Sequence, residues 1–383
     1  MSLFHRLSAS YFFYFAILGI VSTFLGIFLD NKGFSSREIG EILAIFTVAK
    51  IIAPSLWSIF ADKTGQQLAI MRLGALLALL CFTGLFWLSS YGAIALALAL
   101  FSLFWTAILP QLEVHTLATI RRNNKIYARV RLWGSLGFIV LAILAGEAMS
   151  YFSSQAFIVI GVIMLLALFF STLTLTESRK SKNIVKVDSP IKDKIINSRF
   201  ILFFLGGVLL QISFAPYYGF FALFLQYLNY PGFAVGLLVS IGVLAEIVAF
   251  IYMGTLFKNF SLKGLLVFSL LITALRWYLL PYVSNNVYLL ALLQLSHAAS
   301  FAIYHSASMV FITEHFTKNQ QSRGQGLYVG GVYGIGGALG AYLTGIIWLD
   351  GKGAHDAFLL AGCSALLGTV IMLLLKTKQQ SLT

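Results

Sequence analysis

Apolar runs of about twenty residues recur along this chain with very little polar sequence between them, and this repetition limits what it can fold into. A helix needs roughly 20 apolar residues to cross the hydrocarbon core of a bilayer. A backbone inside lipid must also satisfy its own hydrogen bonds, which a helix does. Twelve such runs lie near residues 9–29, 38–60, 68–89, 92–117, 129–150, 155–175, 200–226, 234–257, 264–283, 286–313, 325–348 and 355–375. Some joints are very short, such as Ser89-Ser90-Tyr91 and Ser284-Asn285-Asn286. The expected fold is an all-α integral membrane protein of twelve transmembrane helices.

Composition excludes the main alternative. Only 10% of the residues are charged and 59% are hydrophobic, against roughly 25% charged in soluble domains. Mean hydropathy is +0.90. Such sparse charge cannot solvate a globular surface of this size, so a soluble enzyme is excluded. The net charge of +13 would suggest nucleic acid in a soluble chain. Here it reads as the basic bias of cytoplasmic loops, and no nucleic-acid partner is expected. Cys81 and Cys363 both sit in apolar runs and offer neither a disulfide framework nor metal spacing. No nucleophile motif, phosphate loop or metal cluster is present, so no cofactor, metal or catalytic residue is expected. The first apolar run is too long for the core of a cleavable signal peptide.

Basic residues orient the helices. Arg121, Arg122, Lys125, Arg129 and Arg131 mark the joint between spans four and five; Arg179, Lys180, Lys182, Lys186, Lys192, Lys194 and Arg199 mark that between six and seven; Lys376 and Lys378 follow the last span. The opposite side has only Lys32, Arg37 and Lys352, offset by Asp30, Glu38, Asp350 and Asp356. Both termini are therefore expected in the cytoplasm. The long polar stretch after span six divides the chain into a six-helix bundle at 1–176, a cytoplasmic linker at 177–199 and a second bundle at 200–383.

The halves repeat. Gly40, Lys50, Ser58 and Asp62 stand 196 residues before Gly236, Glu246, Gly254 and Lys258, and the same offset carries Gly134 onto Gly330. Lys50 and Glu246 thus hold equivalent positions with opposite charge, and the repeat predicts that they approach each other in one transport state. Two six-helix parallel repeats are the arrangement of major facilitator transporters, with a midplane substrate site.

Ionisable groups at bilayer depth are costly and mark a polar interior. The candidates are Lys50, Glu113, Arg131, Glu246 and Arg276, joined by Gln211, Gln294, His297 and His305. Gln294, His297, Tyr304 and Ser308 fall on one helical face. Each charge could instead belong to a fixed ion pair clamping two helices, and His297 could be a neutral ring bonded to backbone. Tyr11, Tyr14, Phe214, Tyr217, Tyr218 and Trp277 are candidates to line an arene-binding cavity, although most aromatics in membrane helices face lipid or its interface. The glycines of span eleven, from Gly324 to Gly340, allow close helix approach and read as a rocking surface.

These motifs resemble a known family. Ser58-Ile-Phe-Ala-Asp62-Lys63-Thr-Gly65-Gln-Gln resembles the major facilitator signature between helices 2 and 3, with Ser58 for the first Gly and Gln66 and Gln67 for basic residues. The resemblance implies a cytoplasmic gate at Asp62, Lys63 and Gly65. Tyr127-Ala-Arg129-Val-Arg131-Leu-Trp-Gly134-Ser matches the motif opening helix 5 of the lactose-permease-related branch, and Glu113 precedes Arg131 by the spacing of that branch's paired carboxylate and arginine. Leu210-Gln211, Tyr217-Tyr218-Gly219, Gly242-Val-Leu-Ala-Glu246, Leu275-Arg276-Trp277 and the His297/His305 pair resemble the 3-phenylpropionate permease group. The sugar permease's carboxylate three residues after the helix-10 histidine is Ser300 here, which leaves Glu246 as the expected proton carrier.

The resemblance implies a proton-coupled symporter in a bacterial inner membrane, importing a small organic solute, with an aromatic carboxylate as the leading candidate. Glu246, His297 and Glu113 are the proton-coupling candidates. Lys50, Arg131, Gln211, Tyr218, Arg276, Gln294, Tyr304 and His305 are the substrate-cavity candidates. Alternatives are a permease for sugars, nucleosides or a metal-chelating anion such as a siderophore, or a drug-efflux antiporter. The last is disfavoured because helix 5 lacks the Gly-Pro-rich motif of efflux pumps. The expected partners are the solute, protons and membrane lipid, and the expected state is a monomer.

Overall fold

The computed structural model describes residues 2–120, 123–176 and 190–375, and within them every regular element is helical. Twelve long helices follow in order: α1 Leu3–Asn31, α2 Ser36–Thr64, α3 Gln67–Gly84, α4 Tyr91–Thr119, α5 Asn124–Phe152, α6 Gln155–Leu173, α7 Ser198–Tyr227, α8 Gly232–Asn259, α9 Leu262–Val283, α10 Val287–His315, α11 Gln321–Gly351 and α12 Ala354–Leu373. Among the described residues all but α2 are apolar and long enough to cross a membrane by length and composition. Of the basic positions above, Arg121, Arg122, Arg179, Lys180, Lys182, Lys186, Lys376 and Lys378 lie outside the described residues, as does the linker at 177–189.

The short polar joints set the helix ends. At α2 the Ser35 side chain accepts from the Glu38 N–H while the Glu38 carboxylate accepts from the Ser35 N–H at 2.9 Å, a reciprocal cap that satisfies two donors. The same helix stops at Gly65, whose φ of +66° suits a residue without Cβ and whose N–H reaches Ala61 O at 2.8 Å. Asn123, Asn197, Ser261 and Asn286 cap α5, α7, α9 and α10. The Asn123 cap starts α5 at Asn124 rather than at the expected residue 129, so Tyr127, Arg129 and Arg131 all belong to one helix. The expected helix from 68 to 89 ends early, at Gly84.

Four helices are not regular throughout. One turn breaks α4 between Trp105 and Ile108. Wider π-turns interrupt α7 at Pro216–Phe220, α10 at Ala298–Ile303 and α11 at Tyr328–Gly336. Apolar periodicity does not report such turns, which often accompany functional sites.

Packing forms two compact units. One comprises Met1–Asn183 with Tyr217–Ser240, the other Ile184–Pro216 with Ile241–Thr383. The units are thus a different partition from the chain-order division at 176 and 200. In the first unit, α1 and α5 cross backbone to backbone: a Cβ at Gly19 would meet the Phe138 carbonyl, and one at Gly137 the Phe12 carbonyl. Gly26 meets Gly219, Gly146 meets Gly232, and Gly236 meets Ala142 in the same way. Small residues permit this approach, which dispersion rather than the hydrophobic effect rewards in lipid. In the second unit α7, α9 and α12 pack around buried Trp277 and Phe358, with Trp277 Nε1 donating to Ser213 Oγ at 3.2 Å. Large apolar side chains such as Leu80, Leu96 and Ile251 face outward, as lipid-facing positions require.

Candidate functional site

In the second unit, α8, α9 and α10 bring four polar side chains into one chain of bonds. Arg276 Nη1 lies 2.7 Å from His297 Nδ1, and Arg276 Nη2 donates to Gln294 Oε1 at 2.7 Å. On the far side of the imidazole, Nε2 stands 2.7 Å from Glu246 Oε1. Arg276 and Gln294 have no exposed surface and His297 is 3% exposed. A guanidinium has donors only, so His297 Nδ1 accepts. The ring proton therefore sits on Nε2, which donates to Glu246. The geometry selects a neutral imidazole between a cation and a carboxylate, and the charges of Arg276 and Glu246 balance through it.

Local sequence explains the placement. Gln294 and His297 are three apart, so one turn of α10 presents both to Arg276. Gly242, one turn before Glu246 on α8, lies against the imidazole: a Cβ there would stand 3.2 Å from His297 Cδ2. Arg276 also covers Trp277, with Cζ 4.4 Å from the ring centroid, an arrangement that suits a weakly hydrated planar cation. Phe214 meets His297 edge-on at 5.7 Å.

His305 lies further along the same helix. Its ring stacks on Phe301, and Phe301 stacks on His297, with centroids 5.9 Å and 6.0 Å apart. His305 Nδ1 is 3.1 Å from the Tyr333 hydroxyl. Phe301 escaped the sequence reading, although its place four residues from each histidine was a usable signal. Tyr304 and Ser308 are buried on α10 as the expected stripe requires, and Gln211 is buried on α7 against the Gly336 backbone. Tyr218 groups with the first unit and is 42% exposed.

The first unit carries the other candidates. Tyr127 donates to Glu113 Oε1 at 3.4 Å. Arg131 lies on the Phe15 face, Cζ 3.9 Å from the centroid, in room left by Gly134. Among the described residues no ion pair within 4.0 Å joins Glu113 to Arg131, although the Arg131 charge acts on the Glu113 carboxyl. The guanidinium settles on an aromatic face instead, and Tyr127, one turn earlier, serves the carboxylate. Lys50 Nζ sits 5.2 Å and 5.8 Å from the ring centroids of Phe46 and Trp105, and Tyr14 stacks on Trp105 at 4.9 Å. This aromatic surround was not legible around Lys50 in the sequence. Of the expected gate, Gly65 is the helix cap described above and Lys63 is exposed, while the Asp62 and Ser58 side chains lie outside what is described.

Comparison with known proteins agrees with this architecture. The MFS_1 like family matches residues 4–360. The chain is 28% identical over 311 residues to the probable 3-phenylpropionic acid transporter of Escherichia coli (strain K12), covering 80% of this chain and 81% of that one. It is 24% identical over 385 residues to the xanthosine permease of the same organism, covering 90% and 88%. The crystal structure of the nucleoside transporter NupG superposes with a TM-score of 0.85 at 19% identity, over 99% of this chain and 100% of that one. That of the D-xylose-proton symporter gives 0.77 at 13% identity, over 98% and 97%. Twelve long helices, ionisable groups held at membrane depth and a family match over nearly the whole length lead to one assignment: the chain belongs to the MFS_1 like family and is a major facilitator transporter, not an enzyme.

Proposed function

We propose that the protein is a proton-coupled symporter that imports a small aromatic carboxylate by alternating access. The observation that carries this reading is the Arg276–His297–Glu246 chain. A solute carboxylate that draws Arg276 away leaves His297 Nδ1 without its donor. That nitrogen then takes up one proton, and the ring passes its Nε2 proton to Glu246. The solute anion and one proton thus load together, and neither loads as readily alone, which is the requirement for symport. Gln294 keeps Arg276 oriented during the exchange. Lys50, in its aromatic surround, is a second anion contact, and Glu113 with Tyr127 is a second proton acceptor.

The E. coli relative's name supports an arylpropionate-like solute. The names of the xanthosine and nucleoside relatives favour a second reading, a nucleoside permease. In either case the rocking bodies are 1–176 and 200–383, joined by the 177–199 linker. The protein acts as a monomer in the inner membrane with both termini cytoplasmic. The test is solute-dependent proton uptake by proteoliposomes carrying an entrapped pH dye. 3-Phenylpropionate should lower the internal pH as it enters, whereas xanthosine should not. The opposite pattern selects the nucleoside reading, and no proton movement with either solute removes proton coupling.

A further inference from the structure

Three hydroxyls in the second unit do not fit the picture of a dry helix interface. Tyr304 is 1% exposed, and Ser308 and Tyr328 have no exposed surface, yet none of their oxygens completes a hydrogen bond of full geometry within the protein. They are close to one another. The Tyr328 hydroxyl interacts with that of Tyr304 and faces those of Ser308 and Tyr333. Tyr304 and Ser308 are one turn apart on α10, and the three oxygens converge between α10 and α11. Across from them is Gly207 of α7, where a Cβ would come within 3.4 Å of the Tyr304 oxygen. Around the cluster the packing is apolar: Phe203 stacks on Tyr328 at 5.5 Å and Val332 lies against Gly207.

Buried polar groups without partners are rare because each keeps the full cost of leaving water. Several in one place mean that something polar completes them. The occupant must be small, since the site is closed, and must both donate and accept, since hydroxyls do both. A cation does not fit, because these three oxygens are neutral and an uncompensated charge at this depth is costly. We infer that Tyr304, Ser308 and Tyr328 enclose a binding site for ordered water. An internal water typically makes about three hydrogen bonds, the number that these hydroxyls supply. The site also has a structural reason. Tyr304 immediately follows the π-turn of α10, and Tyr328 opens the π-turn of α11. The water therefore joins two helices at the points where both depart from regular geometry. It also lies beside Tyr333, whose hydroxyl meets His305.

Radiolytic hydroxyl-radical labelling tests the occupant directly, because water bound inside a protein generates radicals where bulk solvent does not reach. The full-length protein in detergent should be labelled at Tyr304 and Tyr328 faster than at Trp277, which is equally buried and whose N–H is already bonded. After mixing with oxygen-18 water, the heavy isotope should enter that label only slowly, as the bound water exchanges. Thermal unfolding gives a second reading. Tyr328→Phe and Ser308→Ala should each lower Tm by about 2 °C, because each takes a hydrogen bond from a bound water. An empty site predicts the reverse, since deleting an unsatisfied hydroxyl relieves its burial. Unlabelled tyrosines, or a raised Tm in either variant, would overturn the inference. Neither measurement depends on solute or proton coupling.

Discussion

His297 Nε2 stands 2.7 Å from Glu246 Oε1 while Arg276 holds the opposite ring nitrogen at the same distance. An imidazolium in this position would set an N–H at Nδ1 against a guanidinium N–H. In the proposed cycle the ring becomes charged only after Arg276 moves, which would tie protonation to the occupancy of the arginine.

Glu246→Gln removes the proposed proton acceptor but keeps a side-chain oxygen for the His297 N–H. The variant should exchange solute across the membrane at close to the original rate and lose accumulation against a gradient. Counterflow and uphill uptake, measured side by side in proteoliposomes, check this. Retained uphill uptake would move the proton site to Glu113.

Arg276→Lys keeps the charge but loses the planar fork that reaches His297 and Gln294 together. One of the two buried acceptors then loses its donor, at a cost of about 1–3 kcal/mol. Tm should fall, and uphill uptake should fall more than exchange does. Arg276→Ala, which strands the Glu246 carboxylate, should cost more, about 3–5 kcal/mol. Unchanged stability in Arg276→Lys would show that the fork is unimportant.

Lys50→Met keeps most of the side-chain volume between Phe46 and Trp105 and removes the charge. Folding should be unaffected. Affinity for an aromatic carboxylate should drop by about ten-fold or more, the equivalent of roughly 1.4 kcal/mol, with no change for its uncharged amide. Equal losses for both ligands would assign Lys50 to packing alone.

Glycines in the helices should divide by what faces them. Gly137→Ala forces a methyl against the Phe12 backbone and should destabilise by about 1–3 kcal/mol. Gly254→Ala enters open space and should stabilise α8 by up to about 1 kcal/mol. Detergent unfolding of the two variants reads both signs.

A single cysteine at Lys186, in an otherwise cysteine-free protein, should react with a membrane-impermeant maleimide only after cells are permeabilised. Labelling of intact cells would invert the proposed topology.

Much of the architecture was readable along the chain because crossing a bilayer is a local demand. Each span must be apolar over its own length, and each joint must carry its own caps, as Ser35, Asn123 and Asn286 do. The same locality revealed Gln294 and His297 on one helical face and Lys50 and Glu246 as deeply placed charges. Partnership was not local. Nothing in the spacing says that α8 offers Glu246 to a ring on α10 whose other nitrogen is held from α9, or that Arg131 settles on Phe15 and leaves Glu113 to Tyr127. The π-turns of α7, α10 and α11 were equally hidden, since each adds one residue to a turn without disturbing apolar composition. Burial and charge along the linear sequence determined that this is a membrane transporter with polar groups at depth. Which of those groups meet was decided by helix crossings that glycines permit and only tertiary packing selects.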